Sequence, residues 1–204
     1  MKFYIINLTQ QLKHRYQIKM KLNQLDNFYF QTSLFTKEEC NDIIQYITYL
    51  QDTVYTVKID DIFTEKGCSL KSQDLEYNEN TNWIFDKVIN LINNHIEVDW
   101  IDNPHAIFRN YSTGDFFVKH KDNVDSHIAD KRYLTVSIQL SDPTDYVGGD
   151  VILNETQKLS REIGSIFLWG TNVPHEVTPI EAGERNSLIF FVSEKHVQPI
   201  KSLF

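Results

Sequence analysis

Tyr133-Leu-Thr-Val-Ser-Ile-Gln-Leu140, followed by the turn formers Ser141-Asp-Pro143, is the stretch from which the fold class is read. It is short, rich in β-branched residues and bounded by turn chemistry, the signature of a strand. The same grammar recurs on both sides of it. His105-Ala-Ile-Phe-Arg-Asn-Tyr111 precedes it, and Asp150-Val-Ile-Leu153, Ser165-Ile-Phe-Leu-Trp169 and Asn186-Ser-Leu-Ile-Phe-Phe-Val192 follow. Ser112-Thr-Gly114, Gly148-Gly149, Gly164 and Gly183 punctuate these runs. Many short strands so spaced predict a mainly β architecture, a sandwich or barrel, over about residues 101–204.

Before position 100 the pattern is helical. Thr36 and Glu39 make a capping box, and Cys40, Ile43, Ile44, Ile47 and Leu50 fall on one face, predicting a helix over about 36–50. Ile84, Phe85, Val88, Ile89, Ile92 and Ile96 recur at helical spacing after an Asn-rich start, predicting a second helix over about 81–96. Residues 1–25 and 51–80 carry weak signals. With 204 residues, 41% of them hydrophobic, the chain reads as one domain, 1–204: a helical supporting region over about 1–100 and a β core over about 101–204.

The formal net charge of −8 argues against nucleic acid or an anionic membrane as the main partner, since neutralising phosphates takes a basic excess. Cys40 and Cys68 are too few for a disulfide framework and wrongly spaced for a zinc pair, which favours a reduced, cytoplasmic setting. The apolar patch at the start of the chain is interrupted by Gln10, Gln11, Lys13, His14 and Arg15 before it reaches targeting or membrane-spanning length. Nothing in the sequence signals an oligomeric state.

Within the β-rich half lies Phe116-Phe-Val-Lys-His120-Lys-Asp122. Side chains two apart on a strand share a face, so one imidazole and one carboxylate can reach the same ion while Lys121 points elsewhere. A lone His-x-Asp is a weak motif. His175, in Gly170-Thr-Asn-Val-Pro-His175-Glu-Val-Thr-Pro179, is placed to supply a third ligand from another strand, and two imidazoles with one carboxylate form the facial triad of non-haem Fe(II) oxygenases. Downstream, Arg185 opens the following strand, where a guanidinium can hold the far carboxylate of a dicarboxylate. The plainer alternative for Arg185 is a surface ion pair with Glu181 or Glu184.

Taken in order, Tyr111-Ser-Thr-Gly-Asp-Phe-Phe-Val-Lys-His120-Lys-Asp122-Asn, Arg132 to Pro143, Gly148-Gly-Asp150, Gly164-Ser-Ile-Phe-Leu-Trp169 and His175 to Leu188 resemble the prolyl 4-hydroxylase-like 2-oxoglutarate oxygenases, bacterial and viral members included. Leu34-Phe-Thr-Lys-Glu-Glu-Cys40, ahead of the first helix, also looks like that family's usual start. The resemblance implies a double-stranded β-helix (jelly roll) with N-terminal supporting helices, and Fe(II) held by His120, Asp122 and His175. It also implies 2-oxoglutarate bound through Arg185 and lined by Tyr111. Gln139 stands where many prolyl hydroxylases have a second tyrosine for the same carboxylate, and its amide can still donate a hydrogen bond. The implied reaction consumes O2, converts 2-oxoglutarate to succinate and hydroxylates an unactivated carbon, with ascorbate supporting activity. No catalytic residue beyond the metal site is implied.

A prolyl residue in a peptide or protein is the leading substrate expectation, and a free amino acid or other small molecule the alternative. A non-catalytic jelly-roll binding module is disfavoured by the intact set His120, Asp122, His175 and Arg185. A nucleic-acid demethylase is disfavoured by the acidic charge. Phe116, Phe117 and Trp169 are candidates for an apolar wall around the site, with plain core expected for at least two of them. Residues 123–131 are a polar connection beside the ligand pair and a candidate substrate contact. His14, His95, His127 and His196 read as surface residues and His105 as structural.

Overall fold

A computed structural model describes residues 20–21, 29–50, 55–59, 68–97, 105–123 and 132–193. In chain order the first half contains β1 (Met20–Lys21), β2 (Tyr29–Ser33), α1 (Lys37–Tyr49), β3 (Tyr55–Ile59), β4 (Cys68–Glu76), α2 (Asn82–His95) and β5 (Ile96–Glu97). The second half runs through β6 (His105–Ser112), β7 (Phe116–His120), β8 (Arg132–Gln139), β9 (Tyr146–Gly148) and β10 (Val151–Leu153). It ends with β11 (Gln157–Lys158), β12 (Ser165–Gly170), β13 (His175–Val177) and β14 (Ile180–Ser193). The main sheet has the order β11-β10-β13-β7-β4-β6-β14-β8-β12-β2, with β3 added beside β4 and β9 beside β14. Its pairings are antiparallel, and β1 pairs separately with β5 in parallel.

Both helices form where expected, for local reasons. At α1, Thr36 Oγ1 accepts from Glu39 N (3.2 Å) while Thr36 N donates to Glu39 Oε2 (2.9 Å), so the capping box closes in both directions. At α2, the Thr81 hydroxyl turns back instead, donating to Glu76 O at 2.6 Å and accepting from Asn78 N at 2.9 Å, which ties the helix start to the end of β4. Ile43 and Ile47 of α1 and Ile84, Phe85, Val88 and Ile92 of α2 bury against one face of the sheet.

That face is supplied by every second residue of four adjacent strands. Ala106 and Phe108 of β6, Leu188, Phe190 and Val192 of β14, Leu134, Val136 and Ile138 of β8, and Ile166 and Leu168 of β12 join the helices in one core. Each fully buried aliphatic side chain contributes roughly 1.5–3 kcal/mol by leaving water. The intervening residues, among them Arg109, Tyr111, Thr135, Ser137, Trp169, Arg185 and Ser187, face the opposite way and line a cavity. Phe117, His120, Val151, His175 and Val177, from β7, β10 and β13, close it from the other arm of the curled sheet. Because β8 is covered on both faces, Leu134 through Gln139 are all buried, polar positions included.

The first hundred residues are not only helical. β2 pairs with β12 along the sheet, and β4 lies between β6 and β7, so the supporting region donates strands as well as helices. The signal of β4 is faint because it alternates badly: Ser72 and Gln73 are buried beside Leu70 and Leu75. Gln73 repays its burial by donating from Nε2 to Leu50 O at 3.1 Å. His95 is a second departure from expectation. It is half-buried at the end of α2, with Nδ1 2.8 Å from Leu91 O and its ring 5.1 Å from that of Phe30. His14, His127, His196, the His105 side chain and the connection 124–131 lie outside the described residues.

Candidate metal and anion site

His120 is the last residue of β7, and its Cα partner across the ladder is His175, the first residue of β13. This pairing brings together two imidazoles far apart in sequence, with ring centroids 4.2 Å apart. Asp122 lies beyond the end of the strand. Its backbone N donates to Thr171 O at 3.0 Å and that of Asn123 to the same oxygen at 3.2 Å, turning the carboxylate back toward the rings. His120 Nε2 is 3.5 Å from Asp122 Oδ1, and His175 Nε2 is 3.3 Å from Asp122 Oδ2. One ligand atom from each of the three residues lies within 4.8 Å of the others.

The outer contacts fix the chemistry of those atoms. His120 Nδ1 is 2.8 Å from Val118 O and His175 Nδ1 is 3.0 Å from Val173 O. A carbonyl oxygen only accepts, so Nδ1 carries a proton in both rings, which leaves Nε2, the nitrogen that faces Asp122, as the atom free to ligate a metal once it is deprotonated. Phe117 stacks on the His120 ring (3.8 Å, 21°), and Trp169 meets that of His175 edge-on at 5.0 Å. Thr135 Oγ1 donates to Asp122 Oδ2 at 2.6 Å. Burial raises the Asp122 pKa, but the facing His175 and His120 and the hydrogen bonds outweigh it and hold the group at about 2. Burial lowers the pKa of His175, and the neighbouring His120 adds to this against the opposing pull of Asp122, which favours a neutral ring. An ionised carboxylate and two imidazoles in this tautomer are a donor set that fits a divalent iron ion.

Arg185 lies in the same cavity. It is 3% exposed, and its Nη1 reaches only Ser187 Oγ, at 3.5 Å. Tyr111, its Cα partner on β6, presents its ring 5.6 Å from the guanidinium carbon. Room for the stem comes from Gly149, where φ is +64° and an added Cβ would meet Ile180 Cδ1 at 2.3 Å and Arg185 Cδ at 3.3 Å. The surface ion pair with Glu184 does not form. Glu184 is on the opposite face of β14, where Asn110 Nδ2 (3.4 Å) and Ser112 Oγ (3.3 Å) donate to it. Among the described residues no carboxylate pairs with Arg185.

The structure thus brings His120, Asp122, His175, Arg185 and Tyr111 to one cavity, and it does not bring Gln139. The Gln139 amide is committed, donating from Nε2 to Ser141 O (3.0 Å) and Tyr146 Oη (3.1 Å), away from the residues that line the cavity. Of the three aromatic candidates, Phe117 and Trp169 line the cavity and Phe116 does not. Thr135, Ser137, Ser187 and Arg109 were not singled out from the sequence. Their signal is parity: Thr135 and Ser137 alternate with buried aliphatic residues on β8, and Arg109 and Ser187 each adjoin one core residue, Phe108 on β6 and Leu188 on β14.

Residues 106–193 match the family model of the 2OG-Fe(II) oxygenase superfamily. A PKHD-type hydroxylase from Shewanella baltica is 29% identical over 92 residues, 42% of this chain and 41% of the relative. The chain therefore spans about two-fifths of the length of the curated relatives it matches. Among solved structures, a prolyl-4-hydroxylase from Pseudomonas putida superposes with a TM-score of 0.63 at 17% identity, covering 85% of this chain and 95% of that one. A prolyl hydroxylase from Trichoplax adhaerens, solved with a peptide fragment of hypoxia inducible factor, gives 0.63 at 20% identity, covering 84% and 87%. At these identities the superpositions establish the fold, a double-stranded β-helix with two supporting helices.

Proposed function

We propose, with the match of residues 106–193 to the 2OG-Fe(II) oxygenase superfamily as premise, that this chain is an Fe(II)- and 2-oxoglutarate-dependent dioxygenase that hydroxylates a prolyl residue in a peptide or protein. The observation that carries the reading is the buried Arg185 guanidinium, without a carboxylate partner among the described residues, in the cavity that also holds the His120, Asp122 and His175 cluster. A dicarboxylate chelated at the metal and anchored at Arg185 satisfies both ends.

In this reading His120 Nε2, His175 Nε2 and one Asp122 oxygen hold Fe(II), which with 2-oxoglutarate and O2 supplies the oxidising chemistry. The protein does the positioning. Val118 O and Val173 O hold the rings in the ligating tautomer, and Thr135 orients the carboxylate. Phe117, Trp169, Val151 and Val177 keep water from the cavity. Tyr111 flanks the anchored carboxylate, and Gln139 acts at one remove by bracing Tyr146, which packs with Tyr111.

The prolyl assignment takes its support from the prolyl hydroxylases with which the fold superposes. A core shared by helices of the first half and strands of the second supports reading 1–204 as one domain. The free Cys40 thiol supports a reducing, cytoplasmic setting, and no described helix is long and apolar enough to cross a membrane. The net charge of −8 speaks against a nucleic-acid partner.

The test is mass spectrometry of proline-containing peptides incubated with enzyme, Fe(II), ascorbate and 2-oxoglutarate, with succinate measured in parallel. A gain of one oxygen on proline is expected. Succinate formed without peptide oxygenation would move the substrate to a free amino acid or other small molecule. No succinate with any substrate would sink the dioxygenase reading.

A further inference from the structure

Two guanidinium groups beside this cavity are needed neither for iron nor for 2-oxoglutarate. Arg109 is on the cavity face of β6, between Ser187 of β14 and Ser72 of β4 in the cross-strand register. Its guanidinium carbon is 5.7 Å from the ring of Phe117, the ring that stacks on His120. Arg132 opens β8, with its guanidinium carbon 3.8 Å from the ring of Phe191, which also lines the cavity. Burial lowers the Arg132 pKa, and the like charge of Arg109 adds to this against the pull of Asp122.

Both arginines are half-buried, and among the described residues neither forms an ion pair, in a chain with 28 acidic against 20 basic residues. Acids are therefore not scarce, yet among the described residues Asp122 is the one carboxylate that acts on Arg132, and it belongs to the metal cluster. The hydroxyl of Ser72, across from Arg109, is buried with no hydrogen-bond partner. Under the proposed reading, Fe(II), Asp122, the dicarboxylate and Arg185 sum to neutrality. That leaves Arg109 and Arg132 as an uncompensated positive pair, each backed by an aromatic face, an arrangement suited to a planar anion.

We infer that Arg109 and Arg132 are specificity residues that clamp a carboxylate carried by the substrate next to the carbon to be hydroxylated. The inference rests on the dioxygenase reading for the charge balance and for which carbon reacts; the clamp itself is a matter of binding. The carboxylate can belong to a free amino acid or to an acidic residue beside the target in a peptide, and the test separates these sources.

The full chain is loaded with Zn(II), which is redox-inert, and 2-oxoglutarate, and binding is followed by ligand-observed NMR. The probes are L-proline against L-prolinamide, and an Asp-Pro peptide against its Asn-Pro counterpart. In at least one pair the carboxylate partner should bind about 10- to 100-fold more tightly, the span of a charge-assisted hydrogen-bonded pair. The pair that discriminates identifies the source. Arg109→Gln and Arg132→Gln should each erase the discrimination without weakening 2-oxoglutarate binding, and Arg109→Lys should keep part of it. The inference fails if the wild-type protein discriminates in neither pair, if the variants lose both partners equally, or if Arg109→Gln weakens 2-oxoglutarate instead. Because zinc replaces iron, a failed turnover assay leaves this result standing, and a failed clamp leaves the turnover assay standing.

Discussion

Replacing Arg185 by Met should move two quantities in opposite directions. Arg185 is 3% exposed, its one side-chain hydrogen bond among the described residues is the 3.5 Å contact to Ser187 Oγ, and the Tyr111 ring lies 5.6 Å from its guanidinium carbon. A buried charge without a counter-ion costs several kcal/mol, and replacing such groups by apolar side chains of similar volume commonly stabilises a fold. Ligand-free Arg185→Met is therefore expected to gain about 1–3 kcal/mol in unfolding free energy. Toward 2-oxoglutarate the sign reverses. Losing a buried charge-assisted pair costs about 2–5 kcal/mol, an affinity loss of about 30-fold to several thousand-fold.

Urea unfolding of the Zn(II)-loaded protein, with and without 2-oxoglutarate, reads both effects. At a hundred times the dissociation constant the wild type should gain about 2.7 kcal/mol, and the variant at the same concentration about 0.9 kcal/mol or less. If the variant were instead less stable without ligand and still stabilised by 2-oxoglutarate, Arg185 would be a structural residue and the anion-site argument would fail.

Thr135→Val removes the 2.6 Å hydrogen bond to Asp122 and keeps the side-chain shape, so metal affinity in a Co(II) titration should fall about 10- to 100-fold; unchanged affinity would mean that the carboxylate is oriented by other contacts. Gly164→Ala forces a residue with a Cβ to φ +78° with Phe35 O only 1.9 Å from the new atom, at a site where Gly164 O also accepts from Leu34 N and Phe35 N. It should lower stability by more than the roughly 1–3 kcal/mol of backbone strain alone, whereas Gly114→Ala, at φ +91° with nothing within 4 Å, should cost only the strain. Burial pushes both the Cys40 thiol and the Tyr29 hydroxyl up to about 12. A folded-state pKa above the unfolded value gives stability that is complete below the unfolded pKa and is lost as pH rises through the folded one. Urea midpoints should thus decline from about pH 9 to 12, and Tyr29→Phe with Cys40→Ala should flatten the decline.

What the sequence disclosed was what neighbours in sequence determine. The α1 cap is a matter of Thr36 and Glu39 alone, and its apolar face needs only helical spacing. β4 is hidden because its partners decide it: Ser72 and Gln73 are buried by β6 and α1, with Leu50 at the end of that helix, none of which their own spacing reveals. The site divides in the same way. Spacing proposed His120 and Asp122 as one face of a strand, yet the strand ends at His120, and it is the hydrogen bond from Asp122 N to Thr171 O that aims the carboxylate. His175 arrives through the β7–β13 ladder, a tertiary fact. Gln139 enters through the family resemblance alone; it shares its face of β8 with Thr135 and Ser137, but hydrogen bonds to Tyr146 and Ser141 claim its amide.

The two jobs of the central strands also constrain each other. On β8 and β14 one parity is core, Leu134, Val136, Ile138, Leu188 and Phe190, and the other carries Thr135, Ser137, Arg185 and Ser187. A slip of one residue would turn the arginine and hydroxyls into the helix-covered core and aliphatic side chains into the metal cavity, so stability and chemistry fail together. The ladder between β14 and β6 accordingly runs without a break from Glu184 to Phe190. The irregularities of β14 are confined to its ends, between Ile180 and Ala182 and between Val192 and Ser193, outside the stretch where a shifted residue would cost both.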